Sequence, residues 1–275
     1  MPLPIGPVWS LLHLGIKYPA LTVVCTASIL SLSDYMTSPT YANDQTLDRV
    51  IPESGPMIAL TFDDGWSSVY DIALPEMFNR GMVGTNYVHT QYIGEGTPNY
   101  ITPSQLREFV AAGWEVGSHS HYHADLTTVE LGELEYTMEL ASAQLTDWTG
   151  LGDFSFSSPM GIFDETVVRT AETFYSSHVN AWSDKDGMNT LDNFDLFNIH
   201  RLDTQNTNVA GVCDTVAALG NDDFYVIIFH KIDESGDDYS LTPRDFGTIL
   251  DCVGASDAQV VTVSDGAESM LRRLE

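Results

Sequence analysis

Met57-Ile-Ala-Leu-Thr-Phe62 runs straight into Asp63-Asp64-Gly65. A short apolar run closed by a turn signal predicts a buried strand. Successive side chains on a strand point to opposite faces, so the two carboxylates at its end look in different directions. One can hold a metal while the other stays free as a base. Gly65 permits the tight turn that must follow.

Working outward, the same pattern repeats. A helix is expected over Val69–Arg80, then strands at Gly84–His89 and Trp114–Ser118. Between those strands Thr102-Pro103-Ser104-Gln105 reads as a capping box with proline in the first turn. A long helix over about Thr128–Trp148 is closed by Gly150. Further strands are expected at Phe154–Ser158, His178–Trp182, Ile199–Leu202, Phe224–Phe229 and Val260–Val263. The helices among them are Asp164–Thr173, Val209–Leu219, Thr242–Val253 and Asp265–Arg273. Seven or eight β/α units of this kind imply an α/β fold with a parallel barrel. Its active site is expected at the C-terminal strand ends.

The polar residues fall at those ends. The third strand leads into His119-Ser120-His121-Tyr122-His123. Two imidazoles four apart, with one carboxylate, make a three-ligand set for a catalytic divalent metal, with zinc the default. Cobalt and manganese also suit two histidines and an aspartate. The strand Phe224–Phe229 ends in His230, a candidate proton shuttle. The fourth strand leads to Pro159-Met160-Gly161, whose backbone N–H groups could face a developing oxyanion.

Charge sets the surroundings. There are 39 Asp and Glu against 11 Lys and Arg, a formal net charge of -28. The acids are dispersed rather than gathered in a tail. Such a surface repels itself unless salt shortens the Debye length to ~3 Å. A halophilic source is the expectation, and an ordinary acidic secreted protein is the other reading. No basic face exists to neutralise phosphates, so nucleic acid is excluded as a partner.

Residues 1–42 differ from the rest. Lys17 precedes an apolar run over residues 18–32, short for a spanning helix but suited to a signal-peptide core or an anchor. Residues 1–42 are expected to be a signal peptide or membrane anchor, 43–55 a linker, and 56–275 the catalytic domain, outside the membrane. A helix packed on the domain is the other reading of the apolar run. Of three cysteines, Cys213 and Cys252 fall in predicted helices near the C-terminus. They pair as a disulfide if the chain is exported, or stay as two buried thiols.

Over residues 56–275 the chain resembles the polysaccharide deacetylase family, the NodB-homology domain of carbohydrate esterase family 4. Thr61-Phe62-Asp63-Asp64-Gly65 matches its first motif, and His119-Ser120-His121-Tyr122-His123 its second, a His-Ser/Thr-x-x-His. Phe229-His230 resembles the last. The resemblance implies a distorted (β/α)7–8 barrel of the NodB type and hydrolysis of N-acetyl groups on a glycan. It implies Asp63 as general base, Asp64, His119 and His123 as metal ligands, and His230 as general acid. His121 occupies a variable position and stays outside the metal shell. Trp182 is similar to the aromatic wall of the acetyl pocket, beside Pro159. Trp66, Tyr92 and Tyr100 are candidates for stacking on sugar rings.

The third motif departs. Many members carry Arg-Pro-Pro-Tyr-Gly where this chain has Ser157-Ser158-Pro159-Met160-Gly161. The absent arginine normally orients the catalytic base. Arg201 is the candidate replacement, from another strand. Two other functions fit the same residues less directly: a deacylase of a non-sugar amide or O-acetyl ester, and a catalytically silent glycan-binding or surface module.

Overall fold

The computed structural model describes residues 51–181, 187–204 and 208–275. The apolar run at 18–32 and Trp182 lie outside the described residues. In chain order the strands are β1 (Met57–Phe62), β2 (Thr85–Val88), β3 (Glu115–Ser118), β4 (Ser155–Ser157), β5 (Ser177–Val179), β6 (Met188–Asn189), β7 (Leu202–Asp203), β8 (Phe224–Phe229), β9 (Lys231–Ile232), β10 (Ser240–Leu241) and β11 (Gln259–Val260). The helices are α1 (Leu74–Phe78), which continues a π-helical turn at Val69–Ala73, α2 (Thr90–Gly94), α3 (Pro103–Ala111), α4 (Leu131–Thr149), α5 (Glu165–Phe174), α6 (Val209–Ala217), α7 (Pro243–Ala255) and α8 (Val263–Leu274).

The main sheet runs β5-β4-β3-β2-β1-β8-β6, with β7 also on β8 and β11 on the lower half of β1. The β1–β8 ladder is parallel and in register along its full length, from Met57 opposite Phe224 to Phe62 opposite Phe229. Among the described strands only β6 runs antiparallel, pairing with β8. A parallel bridge between Val179 and Ile199 carries the sheet from β5 towards β7 and so curls it back on β8. The result is a distorted parallel barrel, as the repeated β/α pattern predicts.

Alternation sorts the core into two layers. Met57, Ala59, Tyr87, Val179, Phe224 and Val226 pack together inside the barrel. Ile58, Leu60, Phe62, Tyr225, Ile227 and Phe229 pack outward against the helices. The predicted capping box is present at α3: Thr102 accepts from the Gln105 N–H and the Gln105 side chain accepts from the Thr102 N–H. Gly150 closes α4 in the left-handed region.

Several boundaries move. The last predicted strand shrinks to β11, because Thr262 caps α8 and Val263 is already helical. The strand expected at His178–Trp182 is β5, one residue earlier at its start. Residues 51–55, read as the end of a linker, are packed on the domain: Ser269 donates to the Pro52 carbonyl, and Gln259 to the Ser54 carbonyl at 3.0 Å. Cys213 in α6 and Cys252 in α7 form a disulfide, which resolves the open choice between pairing and free thiols.

Candidate active site

Asp63 ends β1 on the inner face and is buried. Its backbone N–H donates to the Phe229 carbonyl (2.9 Å), which ties the strand end to β8 and to His230. Arg201, buried in the barrel, meets the carboxylate with both ends of its guanidinium. Nη1 donates to Oδ1 at 2.8 Å and Nη2 to Oδ2 at 2.9 Å. Nε donates to the Asn180 carbonyl (2.7 Å), and Nη2 also to Ser157 Oγ (2.7 Å). Ser157 Oγ in turn donates to Asp63 Oδ2 at 3.1 Å. Burial alone would raise the Asp63 pKa. The Arg201 charge, then that of His119, overcomes it and holds the carboxyl below the usual carboxylate range. The third motif carries no cation here, and the one that meets Asp63 comes from Arg201, beside β7.

The guanidinium is supported from below. It lies 5.3 Å from the centroid of the Tyr87 ring on β2. Ser155 Oγ bridges Tyr87 Oη (3.0 Å) and the Glu115 carboxylate. Gly117 on β3 makes room for this ring, since a Cβ there would stand 2.4 Å from it.

Asp64 takes a different direction, because the strand has ended before it. It sits at a left-handed φ of 74°, which brings its carboxylate over the end of β3. Oδ1 lies 3.2 Å from His123 Nε2 and 3.5 Å from His119 Nε2. Ligand atoms of these three residues all lie within 4.8 Å of one another. His119 Nδ1 is 2.7 Å from the Ser157 carbonyl. A carbonyl only accepts, so Nδ1 carries a proton, and the bond to Asp64 is made through a proton on Nε2, the position a cation would take. Burial would raise Asp64 and lower His119. The hydrogen bonds between them prevail, holding Asp64 well below the usual carboxylate range and raising His119. Two imidazole nitrogens and one carboxylate oxygen converging this way fit a divalent cation in place of the shared proton.

His230 follows β8, half-buried, with its ring 4.9 Å from that of Tyr239. Its charge acts on both carboxylates. Pro159 is buried in the short turn after β4, and Met160 holds a left-handed φ of 59°. Left-handed non-glycine residues thus follow β1, β3 and β4 at Asp64, Ser120 and Met160, a clustering of backbone strain characteristic of functional sites. His121 is turned away, its Nδ1 2.8 Å from Thr90 Oγ1 and 3.0 Å from Gln144. A cleft of about 720 Å³ opens at the other end of β3–β5, between Arg107, Glu115, Leu151 and Ser177, and contains none of these groups.

The family model described as polysaccharide deacetylase matches residues 51–175. Over that stretch the chain is similar to the polysaccharide deacetylase family. The match takes in both carboxylates, the histidine pair and the Pro159 turn. An uncharacterized 30.6 kDa protein of Geobacillus stearothermophilus is 26% identical over 118 residues, 42% of this chain and 43% of that protein. The peptidoglycan-N-acetylmuramic acid deacetylase PdaA of Bacillus subtilis is 25% identical over 114 residues, 41% of each chain. The aligned stretch thus spans about two fifths of the curated relatives' own length. Among solved structures, the Xyl-CE4 domain of a multidomain xylanase from a Trinervitermes trinervoides hindgut metagenome superposes with a TM-score of 0.57 at 23% identity. It covers 78% of this chain and 90% of that one, a likeness of fold.

Some features of this site had no signal in the sequence. His89, at the end of β2, is buried with its ring 5.6 Å from that of His123. Burial, then the charge of His119, pushes it down to about 3, so it stays neutral. Ser157 has a double role, Oγ on Asp63 and carbonyl on His119, and nothing in its residue type announces either.

Proposed function

We propose that the chain is a metal-dependent hydrolase that removes N-acetyl groups from an N-acetylated oligo- or polysaccharide. The observation that carries this reading is the division of labour between adjacent carboxylates, Asp63 on a buried arginine and Asp64 on a histidine pair.

Asp64, His119 and His123 would hold the cation, with zinc the default and cobalt or manganese equally suited to the donor set. Bound there, it supplies Lewis acidity, polarising a carbonyl and easing deprotonation of water. Asp63 takes the proton from the attacking water. Its Oδ2 already accepts two hydrogen bonds, from Arg201 and Ser157, whereas Oδ1 accepts one. A carboxylate oxygen has two acceptor positions, so Oδ1 is the atom with a place for that proton. The Met160 N–H, in the turn after Ser157, contributes to holding the oxyanion. His230 delivers a proton to the leaving amine. Trp182 and Pro159 are assigned to the acetyl pocket on the family resemblance.

We place the domain outside the membrane. The support is the apolar run at 18–32, behind which the domain would be exported, and the Cys213–Cys252 disulfide, which persists in oxidising compartments. No helix among the described residues is long and apolar enough to cross a membrane.

The test is acetate release from N-acetylglucosamine oligomers by the purified protein in molar KCl, with and without zinc. Zinc-dependent release is expected. No release from folded, metal-loaded protein, on these oligomers or on O-acetyl and non-sugar amide substrates, would replace this reading with that of a silent glycan-binding module.

A further inference from the structure

Trp66 has the residue type of a sugar-stacking platform, but its ring is already occupied. Tyr100 stacks on it with centroids 4.6 Å apart and planes 25° apart. Lys231 Nζ lies 4.5 Å from the same centroid and donates to Asp237 Oδ2 at 2.5 Å. What Trp66 offers the site is its edge. The indole Nε1–H donates to Asp64 Oδ2 at 2.9 Å.

This bond matters because Asp64 has left the sheet. Its φ of 74° is followed by Gly65 at 80°, so no strand ladder fixes the carboxylate. The turn is instead pinned from the side. Ile101 N–H donates to the Gly65 carbonyl (3.0 Å), Ser67 N–H to the Asn99 carbonyl (2.7 Å), and Trp66 bridges to Tyr100. With the indole on Oδ2, Oδ1 is left to face His119 Nε2 and His123 Nε2.

We propose that Trp66 is a positioning residue that selects Oδ1 of Asp64 as the metal-facing oxygen, and that Lys231 on the indole strengthens this bond and ties the segment after His230 to the metal site. The proposal rests on reading Asp64, His119 and His123 as metal ligands. Outer partners of metal-bound carboxylates orient them and set their basicity. A cation over an indole is attracted to its electron-rich face and withdraws density from the ring, which makes the N–H a better donor. Lys231 directly follows His230, so one contact couples the loop carrying the proton donor to the oxygen that faces the metal.

The experiment uses the full chain, stripped of metal by a chelator and titrated with Co2+, which is followed by its visible d–d absorption and by competition with a chromophoric chelator. No substrate is involved, so the result does not depend on the proposed reaction. Trp66→Phe keeps a ring for Tyr100 and Lys231 but removes the N–H. It is expected to bind one Co2+ about 10- to 100-fold more weakly, with an altered spectrum. Affinity within twofold of the parent and an unchanged spectrum would overturn the proposal. Lys231→Met, a change at a partly buried position outside the ligand set, keeps the question open to test should Trp66→Phe not fold. An affinity loss of about threefold is expected there, and no loss overturns the role of the cation. Failure of the parent chain to bind Co2+ at all would instead overturn the metal-ligand reading beneath it.

Discussion

Asp63 and Asp64 are covalent neighbours in different solvents. Asp63 sits in the barrel interior on a bidentate arginine, with Ser157 closing the other side. Asp64 sits at the rim, on a left-handed turn, between an indole N–H and two imidazoles. One carboxylate is held by a buried guanidinium; the other faces two imidazoles, where a metal could replace the shared proton. The difference comes from one step along the chain, out of the strand and into a left-handed turn, and on the proposed reading it is this geometry that separates base from ligand.

Removing each carboxylate charge in turn sharpens that contrast most. Asp63→Asn keeps the shape and the metal ligands but removes the base. Turnover should fall by on the order of 10³, while Co2+ binding, read by absorption, stays at the parent level. Asp64→Asn should abolish both. Loss of metal from Asp63→Asn would show that the two carboxylates act as one site, and loss of activity under tenfold would end the role of Asp63 as base.

The next test removes the fixed cation. Arg201→Met leaves a buried carboxylate without its partner, and breaking such a pair costs about 3–5 kcal/mol of stability. With the cation gone, burial is the largest influence left on the Asp63 carboxyl and pushes its pKa upward. The acid limb of kcat/KM should therefore move to higher pH. Denaturant unfolding checks the first effect and a pH–rate profile the second. A destabilised variant with an unmoved acid limb would make Arg201 a structural residue only. Arg201→Lys should recover part of the stability but not the profile, because an ammonium cannot meet both oxygens.

The contrast also explains what the sequence revealed. The motifs at 61–65 and 119–123 are compact, so their residue types and spacing announce a site, and the runs at β1 and β8 are apolar along almost their whole length. Elements of two residues, such as β6 and β9, were not legible, because their pairing is set by distant partners rather than by local pattern. Arg201 was visible only as a cation near a strand. Its support was not visible: the Tyr87 ring under it and the hole left by Gly117 come from three strands packing together. The bond from Trp66 to Asp64 was not legible, because an aromatic after a turn carries no periodicity to say which way its edge points.

The smallest expected effect concerns the strut that joins the two regions. Ser157 touches Asp63 with its hydroxyl and His119 with its carbonyl, and the next residue, Ser158, is anchored by buried His178. His178 Nδ1 lies 2.9 Å from the Phe197 carbonyl, so it carries the proton, and Nε2 accepts from the Ser158 hydroxyl at 2.9 Å. Burial lowers the His178 pKa from 6.5 to about 4, with the Arg201 charge adding to it. The unfolded chain then binds a proton at a higher pH than the folded one. Stability from His178 is complete above 6.5 and is lost as pH falls from there towards 4. The gap corresponds to on the order of 3 kcal/mol at most. Metal-free protein should therefore unfold more easily at pH 5 than at pH 7 in denaturant titrations. His178→Gln should flatten that slope while lowering stability at pH 7. An unchanged slope in the variant would assign the pH dependence elsewhere, to groups such as His89, and would leave the Ser158 anchor a matter of packing alone.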